Sequence, residues 1–86
     1  MAAYSILFKE SIRKDIAAIP ATDLRRIMER ISLLAADPRP VGSEKLSAQE
    51  RYRIRQSNYR IIYSIQDNEL TVWVVKVAHR REVYRA

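Results

Sequence analysis

Apolar positions along the chain change period several times, and each change marks an element. Tyr4, Ile6 and Phe8 alternate with Ser5 and Leu7, a period of two that predicts a short strand. From Lys9 to Ile19 the interval lengthens: Ile12, Ile16 and Ile19 recur at helical spacing, and Pro20 ends that helix. A second helix is predicted from Thr22, with Thr22 as its cap and Asp23 in the first turn, where a carboxylate complements the helix dipole. Leu24, Ile27, Met28, Ile31, Leu34 and Ala35 make one apolar stripe along it, leaving Arg25, Arg26, Glu29 and Arg30 as its solvent face. The segment ADPRPVGSEK holds both remaining prolines and the lone glycine, and is predicted as a loop.

Beyond the loop the period of two returns. Arg51–Gln56 sets Tyr52 and Ile54 on one face and Arg51, Arg53 and Arg55 on the other. Ser57-Asn58 and Asp67-Asn68 supply turn chemistry, and the strands Tyr59–Gln66 and Glu69–Val77 are rich in β-branched and aromatic residues. The last strand is apolar on both faces, with Leu70, Val72 and Val74 on one and Trp73, Val75 and Val77 on the other. That marks a central strand, covered on both sides.

The predicted architecture is α+β in two layers: an N-terminal strand, a helical hairpin, then a three-stranded antiparallel meander. The helical stripe covers one face of the sheet and leaves the other face basic. Arg60, just across the Ser57-Asn58 turn, joins Arg53 and Arg55 there. Like charges so close repel one another and contribute nothing to a core. A bound polyanion would relieve the repulsion.

Composition narrows the picture. Eighty-six residues make one domain, spanning 1–86. A chain of this size buries only roughly 60–65% of the surface its unfolded form exposes, so it has little core to spare. Cysteine is absent, which excludes disulfides, and no apolar run reaches the ~20 residues that span a bilayer. The opening MAAYSILFKES has neither a basic start nor a long apolar centre, so no secretory signal and a cytoplasmic location are expected. Net charge is +6, and from Arg51 onward eight cations face three acids, so most of the excess lies in the C-terminal part. Such a surface attracts nucleic acid or an acidic protein, and its plain alternative is a solvated face. Arginine outnumbers lysine twelve to four, and guanidinium forks match phosphate and carboxylate bidentately.

Several chemistries fall away. One histidine and no cysteine cannot make a zinc site of the usual kinds, and one glycine rules out a glycine-rich phosphate loop; no metal or other cofactor is expected. Asp67 and Glu69 flank a turn and read as turn residues, not as a catalytic pair. What remains is VAHRREVYR, Val77–Arg85. As plain structure, His79, Arg80 and Arg81 are polar residues at a strand end and Tyr84 is a core aromatic. As chemistry, the imidazole of His79 is a candidate proton acceptor, Arg80 can stabilise charge building on a phosphate, and Tyr84 can stack on a base. With Arg53, Arg55 and Arg60 this set suits RNA cleavage by the substrate's own 2′-hydroxyl, which requires a base, an acid and cations. Tyr52, Tyr59, Tyr63 and Trp73 are read as packing residues.

The run YRIRQSNYRIIYSIQDNELTVWVVKVAHRREVYR resembles the C-terminal half of the RelE/ParE superfamily of type II toxin–antitoxin toxins, on the RelE side. The strand and helical hairpin ending in DPRP fit too, so the resemblance covers nearly the whole chain. It implies a small antiparallel sheet with two helices packed on it. The implied activity is that of a ribonuclease which cuts messenger RNA in the ribosomal A site and arrests translation. By position, Arg53 and Arg55 match a pair of family lysines, Arg60 and Arg80 match phosphate-binding arginines, and Tyr84 matches a tyrosine that orients the substrate nucleotide. Arg80 also matches a residue implicated in protonating the leaving oxygen. Arg51, Arg81 and Arg85 extend the expected RNA-binding surface.

The resemblance implies a co-encoded antitoxin whose extended helical segment wraps the toxin, and operator DNA bound only through that complex. Arginine in place of lysine at 53 and 55 is a departure, because a guanidinium is a poor general base. Either His79 takes the proton, or proximity and charge carry the rate. The chain stops two residues after Tyr84, so a terminal helix over the site is not expected. Two other functions share these features: a ParE-like inhibitor of DNA gyrase on the same fold, and a non-catalytic module that docks an acidic partner.

Overall fold

The computed structural model describes residues 3–46 and 50–79. Its strands are β1 (Ser5–Phe8), β2 (Glu44–Leu46), β3 (Arg51–Gln56), β4 (Tyr59–Gln66) and β5 (Thr71–His79). They form one sheet in the order β1-β5-β4-β3-β2. β1 runs parallel to β5, and every other neighbouring pair is antiparallel. Two helices, α1 (Ile12–Ala17) and α2 (Ala21–Ser32), lie between β1 and β2 in the chain, and a 3₁₀ turn over Leu33–Ala35 extends the second.

The α+β, two-layer architecture agrees with the alternation of the sequence, and the differences have local causes. The meander has four strands, because Glu44–Leu46, at the end of the predicted loop, pairs with Arg51–Arg53 as β2. Its three residues carry no strand signal of their own; pairing with β3 makes the strand. The first helix begins at Ile12, not Lys9. Ile12 and Arg13 donate their N–H groups three residues back, to Lys9 and Glu10, so that stretch is a tight turn. The second helix begins at Ala21 with Pro20 as its N-cap, where Thr22 was expected. Pro20, at φ −56° and ψ 146°, turns the chain into the helix, and its carbonyl accepts the Leu24 N–H at 2.9 Å.

One face of the sheet carries the core. Ile54, Ile61, Tyr63, Ile65, Val72, Val74 and Val77 pack there against Ile12, Ile27, Ile31 and Leu34. Of the predicted helical stripe, Ile27, Ile31 and Leu34 are buried, while Met28 lies at its margin and is exposed. A bulge sets the register of β5. Tyr63 pairs with Val74 and Ile62 with Lys76, so Val75 is an extra residue without a partner. Strict alternation would put Val77 with Trp73; the bulge moves it to the face of Val72 and Val74. Past Phe8, where β1 ends, Asp15 of α1 takes over the exposed edge of β5 and accepts the Val77 N–H at 3.0 Å.

Candidate functional site

The face of the sheet away from the helices is built in cross-strand rows. One row reads Glu44, Arg53, Ile62, Lys76 from β2 to β5. The next reads Arg55, Arg60, Ala78, and the one on the other side Leu46, Arg51, Ser64, Trp73, Leu7. Arg51, Arg53, Arg55 and Arg60 therefore share this face, and Arg55 stands directly opposite Arg60. Taken by themselves, directly opposed like charges disfavour a sheet. Exposure is graded: Arg55 is exposed, Arg51 and Arg53 are half-buried, and Arg60 is buried at 6%.

Among the described residues, one strand-borne carboxylate enters this face. Glu44 pairs with Arg53 in the backbone register, and its Oε2 contacts the Arg53 guanidinium. Sequence reading missed Glu44 because it stood in the predicted loop, and only strand pairing reveals which face it shares. Glu44 also lines a cleft of about 450 Å³ with Arg55, Arg30, Gly42 and Ser43. Arg30, read as solvent face, is half-buried there.

His79 requires a correction. It was expected beside the arginines as a candidate base, but the sheet separates it from them. His79 pairs with Tyr59, and its ring meets the Tyr59 ring edge-on at 5.6 Å between centroids. Both residues line a cleft with Lys14, Asp15 and Ile19 of the α1 region, on the helix side. The bulge at Val75 is the cause: one extra residue in β5 sends every later side chain to the opposite face. Arg80, Arg81, Tyr84 and Arg85 lie outside the described residues.

Tyr63 is a packing residue, as read from sequence: it is fully buried, stacks on Tyr52 at 5.9 Å, and donates its hydroxyl proton to the Pro38 carbonyl at 2.7 Å. Burial pushes its pKa up to about 12. Trp73 differs from its reading as core. It is half-buried on the arginine side, with Lys9 Nζ 5.4 Å from its ring centroid.

A second charged cluster ties the loop after α2 to the β4–β5 turn. Arg39 donates from Nη1 and Nη2 to the two Asp67 carboxylate oxygens at 3.3 and 2.9 Å, and from Nε to the Tyr52 hydroxyl at 3.1 Å. Tyr4 donates to Asp67 Oδ1 at 2.7 Å. The Arg39 hydrogen bond, then that of Tyr4, holds the Asp67 carboxyl below the ordinary carboxylate range.

The chain thus sets two helices on one face of a five-stranded sheet and a field of arginines on the other. The chain belongs to the ParE toxin family of type II toxin–antitoxin systems, within the RelE/ParE superfamily; the model for the ParE toxin of type II toxin-antitoxin system, parDE, matches residues 6–84. Toxin RelG of Mycobacterium tuberculosis is 29% identical over 84 residues, covering 95% of this chain and 97% of that protein. The toxin–antitoxin complex RelBE2 of Mycobacterium tuberculosis contains a chain that superposes with a TM-score of 0.83 at 26% identity, covering 93% of this chain and 94% of that one. A mutant of the E. coli toxin RelE in the free state superposes at 0.77 with 27% identity, over 96% and 92% of the two chains. No helix among the described residues is long and apolar enough to cross a membrane.

Proposed function

We propose that the whole chain is one toxin domain that acts as a ribosome-dependent endoribonuclease, cutting messenger RNA in the ribosomal A site of the cytoplasm. The observation that carries this reading is the gathering of Arg51, Arg53, Arg55 and Arg60 on one sheet face, with Arg55 directly opposite Arg60. Guanidiniums gathered on one face match the phosphates of an RNA backbone, and those aimed at the scissile phosphate stabilise the extra negative charge of its transition state. The reaction needs no metal: the RNA 2′-hydroxyl attacks the neighbouring phosphorus and expels the 5′-oxygen. Arg80 protonates that oxygen and Tyr84 stacks on the nucleotide, by their match to family positions. Arg81 and Arg85 extend the RNA contact. Arg80 follows His79 directly in the chain, and His79 pairs with Tyr59, the neighbour of Arg60.

A co-encoded antitoxin with an acidic, helical segment neutralises the toxin, in keeping with the toxin–antitoxin complex of the mycobacterial relative. The pair meets operator DNA through the antitoxin. The matching family model is described by ParE, which favours one second reading, inhibition of DNA gyrase. Incubation with translating ribosomes and, separately, with gyrase and plasmid distinguishes the two. Message fragments ending in 2′,3′-cyclic phosphate with gyrase unaffected support the ribonuclease. Blocked supercoiling with intact message overturns it.

A further inference from the structure

Cleavage by an internal 2′-hydroxyl requires a group that takes its proton, and the arginine face offers few. A guanidinium is already protonated and has no site to accept a further proton, so Arg51, Arg53, Arg55 and Arg60 cannot serve. His79, Tyr52, Tyr59 and Tyr63 belong to the helix side of the sheet. Lys76 shares the arginine face by register, but its Nζ lies 3.8 Å from Asp15 at the β5 edge, two strands from Arg53. Among the described residues, Glu44 is the one carboxylate at a strand position of this face.

We infer that Glu44 is the general base of the cleavage reaction. This rests on the ribonuclease reading above. Three features support it. Glu44 contacts Arg53, so a phosphate held by that guanidinium brings its ribose next to the carboxylate. It stands on the outermost strand with its side chain 63% exposed, open to an incoming RNA strand, whereas the Arg53 side chain beneath is only 14% exposed. It also lines the cleft that holds Arg55 and Arg30, so the charged groups facing it are Arg53 and Arg55 of β3 and Arg30 of α2.

A carboxylate with an ordinary pKa of ~4.3 is ionised at neutral pH and ready to accept. Arrival of the phosphodiester draws the guanidiniums toward a second anion and raises the proton affinity of the carboxylate as attack begins. In the step itself the 2′-O–H proton passes to Glu44, the 2′-O–P bond forms and the P–O5′ bond breaks. The 5′-oxygen gains a proton from the acid, leaving a 2′,3′-cyclic phosphate and a 5′-hydroxyl. Glu44 then gives its proton to water and the acid takes one back from water, so both groups are restored.

The test is single-turnover cleavage on message-programmed ribosomes across a pH series. Alongside it, binding is measured to a message with a 2′-deoxy sugar at the cut site, and melting is followed for each variant. Glu44→Gln is expected to cut about 10²- to 10⁴-fold more slowly than the unmodified toxin, with unchanged melting and equal or tighter binding. Its residual rate should rise about tenfold per pH unit as hydroxide takes over, while the unmodified toxin loses rate only as Glu44 becomes protonated. Glu44→Asp should recover part of the rate, and Glu29→Gln, on the outer side of α2, should change nothing. Cleavage by Glu44→Gln at the unmodified rate with the same pH profile overturns the assignment. So does a parallel loss of binding and rate, which would make Glu44 a support for Arg53 only. A toxin that never cuts message, even unmodified, would refute the ribonuclease reading itself and Glu44 with it.

Discussion

Two charged clusters on this sheet are built on opposite terms. At the β4–β5 turn, Arg39 finds both oxygens of Asp67, the Tyr52 hydroxyl and the Tyr52 ring, and Tyr4 completes the set. On the far face, among the described residues, four arginines meet one strand-borne carboxylate, and two of the four stand directly opposite each other. A fold holds itself together by arrangements of the first kind, which satisfy donors and offset charge. The second kind gathers charge of one sign, and under the proposed function its use lies in what it binds. The two faces of the sheet differ likewise: isoleucine, valine and tyrosine pack against helices on one side, and on the other cations stand among Ile62, Ser64, Trp73 and Ala78.

Breaking the covered face should have the largest effect on stability. Ile61 is fully buried, and Ile61→Ala should cost about 2–5 kcal/mol, lowering the melting temperature by roughly 10 °C or more. Arg55→Ala, one strand away on the other face, should stay within about 0.5 kcal/mol of the unmodified protein. Denaturant titration of both variants checks the contrast.

Tyr63→Phe is intermediate: it keeps the ring in the core and strips the buried Pro38 carbonyl of its donor, at a cost of about 1–3 kcal/mol. It should also change the alkaline limb. A raised folded pKa means the neutral phenol stabilises the fold fully below pH 10, and that contribution is lost as pH rises through about 12. The phenylalanine variant lacks this part of the decline, which urea titrations across the range would resolve.

Asp67→Asn should have the smallest effect, since the pair is exposed. At neutral pH it should melt slightly below the unmodified protein. A lowered carboxyl pKa gives stability present above the ordinary 3.8 and lost as pH falls through the lowered value, so the gap should close in acid. A gap that persists unchanged at low pH would mean that the Asp67 charge does not act through Arg39.

Much of this was legible in the chain because period and face are tied together. Alternation in RYRIRQ put three arginines on one side, and the two-residue turn after it brought Arg60 across to join them. Two features escaped the pattern for related reasons. Glu44 belongs to a strand of three residues, too short to show a period, which exists by virtue of its partner. His79 lies after a bulge, and a valine run such as WVVKV reads the same with or without an extra residue in it. In both cases the missing information was a pairing register, which depends on residues distant in sequence.

The central claim is that the arginine face grips the scissile backbone. The measurement that tests it most directly is the rate of message cleavage on ribosomes by the Arg53→Ala/Arg55→Ala double variant, with melting followed on the same samples. The expected outcome is a loss of about 10³-fold or more in rate from removing two cations, with melting within a few degrees of the unmodified toxin. A folded double variant that cuts message at the unmodified rate would contradict it.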